Sequence, residues 1–338
     1  MPLPRSPLGT IHTPIIAFQP SFSRTVMNRL IRMNRINYFQ ALKTLTLAVA
    51  LFFAADTAAA QNFAAPYLQF SNSARASGFG EAYVASVDDA SATRWNPAGL
   101  SQVGQFSVTG VFAEDLELDR SYVSTSAAYS FEDIGTFALS FTNSGVDDIQ
   151  SFSENNVATG QFDVNNNVLG LSYARELSGG LSLGLTGRYI NQNLDVQTDE
   201  GLSLDLGAQF RQQNFFAGLA LQNVVGEVGP DELDKVLRAG AGGTFQGAIF
   251  EIDYVHEDIS SSTADDHVNV GLGYEVMIDQ VTLGARGGLR QGDLGLGGSL
   301  GILVDDRFRF GVDYAFVNDP SEIFDNSHRI GLSIRGTR

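Results

Sequence analysis

The chain contains no cysteine, one tryptophan, four methionines and nine prolines among its 338 residues. Without cysteine it can form neither disulfides nor zinc-thiolate or iron–sulfur sites. Only 21 Lys and Arg residues stand against 38 Asp and Glu, so the formal net charge of −17 would repel a nucleic-acid backbone. Charged residues make up 17% of the chain, below the roughly 25% of a typical soluble domain. These shortages exclude nucleic-acid binding and disulfide scaffolds, and they are unusual for a soluble enzyme.

Glycine and aromatic residues are abundant, with 36 Gly, 24 Phe and 10 Tyr. This composition fits neither a disordered chain nor an ordinary globular enzyme. It predicts a protein that presents apolar side chains to something other than water.

Residues 1–60 have the order of a secretory signal peptide. Basic residues, among them Arg29, Arg32, Arg35 and Lys43, precede the apolar run at 45–55 and the three alanines before Gln61. The 11-residue run is too short for a transmembrane helix, which needs about 20 residues. We therefore expect export with cleavage near Gln61, the alternative being an uncleaved amphipathic anchor. A leader that begins at Met27 or Met33 would have an ordinary length, so our hypothesis is that residues 1–26 precede the natural start of translation.

The leader carries a net charge of +5, so the 278 residues that follow carry −22. Their dominant pattern is alternation with period two, which predicts β-strands. In residues 307–316 the side chains of one face are all apolar, whereas the other face carries Arg307, Arg309 and Asp313. The same pattern recurs in residues 181–189, 202–210 and 328–335.

The alternating segments predict fourteen strands. We place them at 104–112, 121–131, 135–142, 166–176, 181–192, 202–212, 214–225, 235–245, 248–258, 267–277, 281–290, 293–304, 307–317 and 327–336. Most are near the ~9–11 residues that a tilted strand needs to cross a bilayer, and bacterial barrels have even strand counts. Connections of one to four residues alternate with connections of eight or more, except near 290–293.

Short periplasmic turns with long outer loops are typical of outer-membrane barrels. The sequence therefore predicts an all-β fold, a 14-stranded antiparallel transmembrane β-barrel over residues 103–338, with a short N-terminal plug or hatch segment over 61–102. Apolar residues would face lipid and polar residues the lumen. The predicted lumenal polar residues are Arg188, Asp205, Asp253, Arg309, Asp313 and Arg329. The predicted interfacial aromatic residues are Tyr122, Tyr129, Tyr189, Phe245, Tyr254, Tyr274 and Phe316.

The most distinctive stretch, residues 73–101, precedes the first strand. Its Asp88-Asp89 pair can cap a short helix, and Trp95-Asn96-Pro97 followed by Gly99 predicts a turn. By composition alone a structural plug is favoured over a binding site. The motif residues are Gly78, Gly80, Asp88, Asp89, Trp95, Asn96, Pro97 and Gly99.

The segment GFGEAYVASVDDASATRWNPAGLS resembles the N-terminal signature of the PorV/PorQ family of outer-membrane proteins. That family belongs to a broader FadL-like class of 14-stranded barrels with an N-terminal hatch. Weaker similarities follow in order at 216–229, 235–245, 251–258, 281–290, 310–316 and 327–335. In one departure, the chain ends in Gly336-Thr337-Arg338, where such barrels usually carry a terminal aromatic residue.

The resemblance implies a non-enzymatic component of type IX protein secretion in the bacterial outer membrane. Its partners would be outer-membrane lipid, the secretion translocon and cargo proteins, contacted through acidic outer loops at 114–119, 145–154 and 227–234. An alternative is a FadL-like transporter of hydrophobic small molecules, although the charged residues predicted to face the lumen argue mildly against an apolar conduit.

An outer-membrane hydrolase is disfavoured because catalytic residues are few. Ser327 and His328 follow Asp325, but sequence neighbours on a strand point to opposite faces and cannot form a triad. The Asp pairs lack the spacing of a calcium-binding loop. We expect no catalytic residues, no metal site and no cofactor.

Overall fold

A computed structural model describes residues 65–115, 120–153, 155–257, 265–305, 307–318 and 326–336. Residues from Gln61 to Arg338 form one compact unit, which is the one described below. The signal peptide predicted at 1–60 lies outside the described residues, as do positions 116–119 of the first acidic loop.

Antiparallel strands make up most of the described chain. They are β1 (Phe106–Asp115), β2 (Arg120–Phe131), β3 (Gly135–Phe152), β4 (Ala158–Ser178), β5 (Leu181–Leu194), β6 (Gln197–Gln212), β7 (Phe215–Val228), β8 (Asp231–Glu232), β9 (Val236–Phe245), β10 (Ala248–Glu257), β11 (Asp265–Ile278), β12 (Val281–Arg290), β13 (Asp293–Val304), β14 (Phe308–Asn318) and β15 (Ser327–Gly336). Before them come two short α-helices, Ala74–Gly78 and Ala92–Trp95, and two 3₁₀ helices, Pro66–Gln69 and Pro97–Gln102.

The sheet closes on itself as a barrel of fourteen strands. Each long strand pairs with its neighbours in sequence, and β1 pairs with β15 from Phe106 opposite Gly336 to Glu114 opposite His328. The two-residue β8 lies outside this ring because it pairs only with β7, and β7 continues the ring by pairing with β9. Closure leaves no free edge, which a sheet in hydrocarbon requires. The predicted fourteen-stranded barrel is confirmed.

Apolar side chains lie on the outer face of the barrel wall and polar side chains on its inner face, which is the opposite of the arrangement in a soluble protein. Leu139, Leu171 and Leu272 are about 60% exposed on the outside. Polar side chains of the same strands, such as Ser172 and Asn269, are fully buried on the inside. No helix among the described residues is long and apolar enough to span a bilayer.

The two ends of the barrel differ. At one end, the short-turn end, two- and three-residue turns such as Gln213-Asn214 join the strands; at the other, the long-loop end, most connections are longer. The prediction of a 23-residue loop at 143–165 is wrong, because β3 extends to Phe152 and β4 begins at Ala158. Strands β5 and β6 likewise extend, so that Asp195-Val196 alone connects them. Backbone pairing continues where the side chains become polar, since above the bilayer no apolar face is needed.

The N-terminal segment, residues 65–105, fills the inside of the barrel and is called the plug below. Its side chains form an apolar core in which Phe79, Tyr83, Trp95 and Leu100 are 2% exposed or less. Tyr122, predicted at the membrane interface, instead faces inward and packs edge-on against Phe70 of the plug, 5.5 Å between ring centres. Its position in the alternation of β2 opposes that of the exposed Val123, which is the physical reason.

Candidate functional site

Glycine on both sides allows the plug to touch the wall of the barrel. A Cβ on Gly78 would lie 2.8 Å from the Cα of Gly297 on β13, and one on Gly80 would lie 2.4 Å from the backbone nitrogen of Leu289 on β12. Gly80 also has a positive φ of 64°, which side chains disfavour. The glycine-rich sequences of the motif and of β12–β13 therefore meet in space and allow direct backbone contact.

Two carboxylates on β10 hold four consecutive backbone N–H groups of the plug. The N–H groups of Tyr83 and Val84 donate to Oδ2 of Asp253 at 2.7 and 2.9 Å. Those of Ala85 and Ser86 donate to Oε1 and Oε2 of Glu251 at 2.6 and 3.0 Å. Both carboxylates are buried, Glu251 completely. Four hydrogen bonds from consecutive buried N–H groups tie the plug to β10, and this pair of carboxyl groups is called the clamp below.

Asp88 and Asp89 join the plug to the last strand. Arg335 of β15 donates to Asp88 Oδ1 at 3.0 Å and to Asp89 Oδ2 at 2.6 Å. Arg75 of the plug also pairs with Asp88, at 3.4 Å. Burial alone would raise the pKa of Asp88. The nearby guanidinium groups of Arg335 and Arg75 lower it by more than burial raises it, so the pKa falls below its ordinary value.

The predicted helix cap at Asp88-Asp89 is wrong for Asp88, whose carboxylate is bound in these ion pairs. Asp89 accepts the backbone N–H of Ser91 at 2.9 Å, just before the helix Ala92–Trp95. Arg335 was not predicted, although it shares the face of Arg329 in the alternation of β15.

A third contact joins Glu81 of the plug to the barrel near the long-loop end. Arg290 of β12 and Arg329 of β15 lie 3.0 and 3.6 Å from its carboxylate. Burial would raise the pKa of Glu81, but Arg290 and Arg329 outweigh it and hold the pKa below its ordinary value. The predicted lumenal Arg329 thus lies against the plug, where it also donates to Ser77 Oγ at 2.6 Å.

Trp95, the single tryptophan, is fully buried at the centre of the plug. Tyr83 meets it edge-on at 6.2 Å, and the guanidinium groups of Arg94 and Arg238 lie 5.3 and 5.5 Å from its ring centre. These distances are those of cation–π contacts.

The Asn96-Pro97 turn anchors the last part of the plug. The Asn96 side-chain amide donates to the carbonyls of Val84 and Ala208, at 2.9 and 3.0 Å. Its Oδ1 accepts the N–H of Ala98, and the N–H of Gly99 donates to the Asn96 carbonyl. Pro97 lies so close to β5 that a Cβ on Gly184 would be 2.4 Å from its carbonyl carbon. Gly99 is required because a Cβ there would meet Val87 at 2.6 Å.

The remaining predicted lumenal residues lie in separate places. Arg188 forms an ion pair with the fully buried Asp205, which also accepts the N–H of Asn223 at 2.9 Å in an irregular stretch of β7. Asp313 pairs with Arg286 at 3.0 Å. The Arg309 guanidinium lies 3.9 Å from the sulfur of Met277, and Arg309 belongs to none of the plug contacts described above.

Two small cavities lie between the plug and the wall, each with a volume of about 30 Å³. Leu68, Arg94 and Arg188 line both. The first also touches Asn223 and Asp234, and half of the residues that line the second carry a hydroxyl group. An engineered apolar cavity that binds benzene has a volume of about 150 Å³, so cavities of about 30 Å³ are too small for an aromatic solute.

The long-loop end is acidic. In residues 141–153, 155–167, 191–201 and 226–235 the acidic residues described are Asp147, Asp148, Asp163, Asp195, Asp199, Glu200, Glu227, Asp231, Glu232 and Asp234, and the one basic residue is Lys235. Apolar side chains project from the tips of the two extended hairpins: Phe152 and Val157 are 54% and 61% exposed, and Val196 is 95% exposed. No group of three or more potential metal ligands occurs in the described part of the chain.

The sequence profile of a family described as "Type IX secretion system protein PorV" matches residues 53–280. This span is about two thirds of the chain and contains the plug and strands β1 to β11. The chain belongs to the PorV family. No curated protein sequence matches it significantly.

Solved structures of a transporter and a channel have a fold similar to that of this chain. TbuX, a toluene transporter of Ralstonia pickettii, is 14% identical, with 80% of this chain and 98% of TbuX covered and a TM-score of 0.50. The deltaS2S3 mutant of TodX, a monoaromatic hydrocarbon channel, is 12% identical, with coverages of 78% and 98% and a TM-score of 0.54. At these identities the likeness shows the fold alone. The predicted FadL-like 14-stranded barrel is the fold of this PorV-family protein.

Proposed function

We propose that this PorV-family protein is a non-enzymatic component of type IX secretion that binds cargo and translocon proteins at the cell surface through its long-loop end. Family membership supports the secretion system, and the fold supports an outer-membrane location. Because short turns of such barrels face the periplasm, the long-loop end would face outward.

The acidic extended hairpins carry the proposal. Their negative charge, interrupted by a single lysine, complements a basic partner and would steer its approach. Exposed Phe152, Val157 and Val196 at the tips supply apolar anchors above the bilayer, where a membrane would not cover them. Polar pairing below the tips, such as Asn143 Nδ2 donating to Asn167 Oδ1 at 2.9 Å, supports these hairpins.

The filled lumen makes hydrocarbon transport the weaker alternative. The clamp on β10 and the ion pairs of Asp88, Asp89 and Glu81 hold the plug by buried charged groups. The two cavities of about 30 Å³ leave no room in them for a toluene-sized molecule. Transport would require the plug to move.

The experiment is affinity purification of the full-length protein from detergent-solubilised outer membranes. Glu227 and Glu232 face each other across β7 and β8 at the long-loop end, and the test variant is Glu227→Lys with Glu232→Lys. The matched control, Glu132→Lys with Glu176→Lys, makes the same charge change at exposed positions of the short-turn end.

We expect the wild type and the control to retain secreted proteins or a translocon component, and the test variant to lose them. Equal recovery from all three would contradict binding at the acidic end. Recovery of hydrocarbon or lipid with no protein partner from any of them would favour the transporter.

A further inference from the structure

Within the part of the chain that the structure describes, no carboxylate forms an ion pair with Arg94 of the plug. Its Nε is buried and has no hydrogen-bond partner among the described residues, and Nη2 reaches only the Gln69 carbonyl, at 3.5 Å. Such a distance is longer than a normal N–H···O bond. A buried guanidinium N–H that lacks an acceptor is costly, so this arrangement favours an anion at Nε.

Asp205 and Glu81, whose charges act on Arg94, are already engaged. Asp205 pairs with Arg188 and accepts the N–H of Asn223. Glu81 pairs with Arg290 and Arg329. The neighbouring Arg238 donates to the neutral Oε1 of Gln222 at 3.2 Å and so supplies further positive charge. Burial, with Arg238 and Arg188 close by, lowers the pKa of Arg94 to about 9, which is the sign expected of a cation short of anions.

One of the two small cavities has the lining that an anion requires. Arg94 and Arg188 face it together with the hydroxyl-bearing side chains of Thr93, Ser124 and Thr142, and no acidic residue lines it. Ser124 and Thr142 form a hydroxyl pair at 2.8 Å in which either can donate. These side chains line a space of about 30 Å³. That volume exceeds what one water needs and suits a group of two or three heavy atoms.

We propose that Arg94 and Arg188 form a binding site for one small carboxylate group in this hydroxyl-lined cavity. A planar guanidinium matches a carboxylate in charge and geometry. The site goes beyond the proposed secretion role and does not depend on it. The carboxylate belongs either to a free small acid or to a peptide segment that enters from the long-loop end.

Trp95 reports on the site directly. It is the single tryptophan of the chain, and Arg94 lies 5.3 Å from its ring centre, so an anion bound to Arg94 changes its electrostatic surroundings. The experiment titrates the detergent-solubilised full-length protein with sodium formate and sodium acetate at constant ionic strength, using gluconate as an anion too large for the cavity. Short peptides with a free or an amidated carboxyl end form a second series.

We expect a saturable change in Trp95 fluorescence with formate and acetate and none with gluconate. A charge-assisted bond contributes about 1.5–3 kcal/mol, so Arg94→Gln should raise the apparent dissociation constant about tenfold or more. The control Arg309→Gln, remote from the cavity, should bind as the wild type does. A response to the free-ended peptide but not its amide assigns the carboxylate to a peptide, whereas a response to the small acids alone assigns it to a solute.

The absence of any saturable change in the wild type would overturn the proposal, whatever the variants do. An unchanged response in Arg94→Gln would overturn it as well. Arg94→Lys keeps the charge and tests the site if the glutamine variant does not assemble, and it should bind more weakly than the wild type because lysine cannot form the two-pronged contact.

Discussion

Replacing the two clamp carboxyl groups by amides, one at a time, should have unequal effects on the plug. Asp253 uses a single oxygen, Oδ2, for both of its plug N–H groups, whereas Glu251 uses Oε1 for Ala85 and Oε2 for Ser86. In Asp253→Asn the amide oxygen can take the place of Oδ2 and still accept both bonds. In Glu251→Gln one accepting oxygen becomes an NH₂ group that faces a donor.

The size of this difference follows from the number of bonds changed and from typical hydrogen-bond energies. Asp253→Asn changes two charge-assisted bonds to neutral ones, a loss of about 1–2 kcal/mol in total. Glu251→Gln removes one of the two bonds, worth about 1 kcal/mol, and leaves its buried N–H unsatisfied, which adds about 1–3 kcal/mol. We therefore expect a total loss of about 2–4 kcal/mol for Glu251→Gln, which is larger than the loss for Asp253→Asn.

Hydrogen–deuterium exchange of the peptide that contains residues 83–86 measures the loss directly, because these amides exchange when the plug opens locally. Each 1.4 kcal/mol corresponds to about a tenfold faster exchange. We expect about ten-fold acceleration in Asp253→Asn and about a hundred-fold or more in Glu251→Gln, with no change in the exposed control Glu176→Gln. Equal acceleration in the two clamp variants, or a larger effect of Asp253→Asn, would refute the assigned oxygen pairing.

Three further predictions concern the plug and the barrel seam. Gly80→Ala should speed proteolysis of the plug by more than Gly179→Ala, since both glycines have φ near +63° but only Gly80 touches the wall, and overpacking costs about 1–3 kcal/mol. Asp88 has a lowered pKa, so its stabilising contribution is complete above about pH 4 and is lost as the pH falls below that value; Trp95 fluorescence should show this loss, and Asp88→Asn should remove it. Phe106→Ala should lower the temperature at which the barrel unfolds on a heated detergent gel, because the Phe106 ring packs on Gly336 where β1 meets β15.

The barrel could be predicted from the sequence because one physical rule governs every strand. Lipid outside and polar groups inside impose alternation, so segments such as 281–290, 293–304 and 327–336 were predicted with the bounds the structure has. The rule ends at the membrane surface. Beyond it, β3 and β4 continue on polar side chains that carry no such alternation, and the prediction of a loop there was wrong.

The plug contacts could be predicted only in part. The alternation of β10 predicts that Asp253 faces inward, and Glu251, two residues before it, lies on the same face. No local sequence pattern, however, predicts that both side chains bind backbone N–H groups some 170 residues away. The ion pairs of Asp88 with Arg335 and of Glu81 with Arg290 likewise join distant segments. Such pairings depend on how the plug folds within the closed barrel. The sequence of either segment alone does not predict that arrangement.

Secretion measured in a strain that lacks this protein tests the central proposal most directly. The strain is complemented with the wild type, with Glu227→Lys plus Glu232→Lys, or with the short-turn control Glu132→Lys plus Glu176→Lys, and surface-exposed cargo and uptake of labelled toluene are both measured. We predict that the wild type and the control restore cargo at the surface, that the long-loop variant leaves cargo in the periplasm, and that none of them changes toluene uptake. Normal secretion in the strain without the protein, together with lost toluene uptake, would contradict the proposed function.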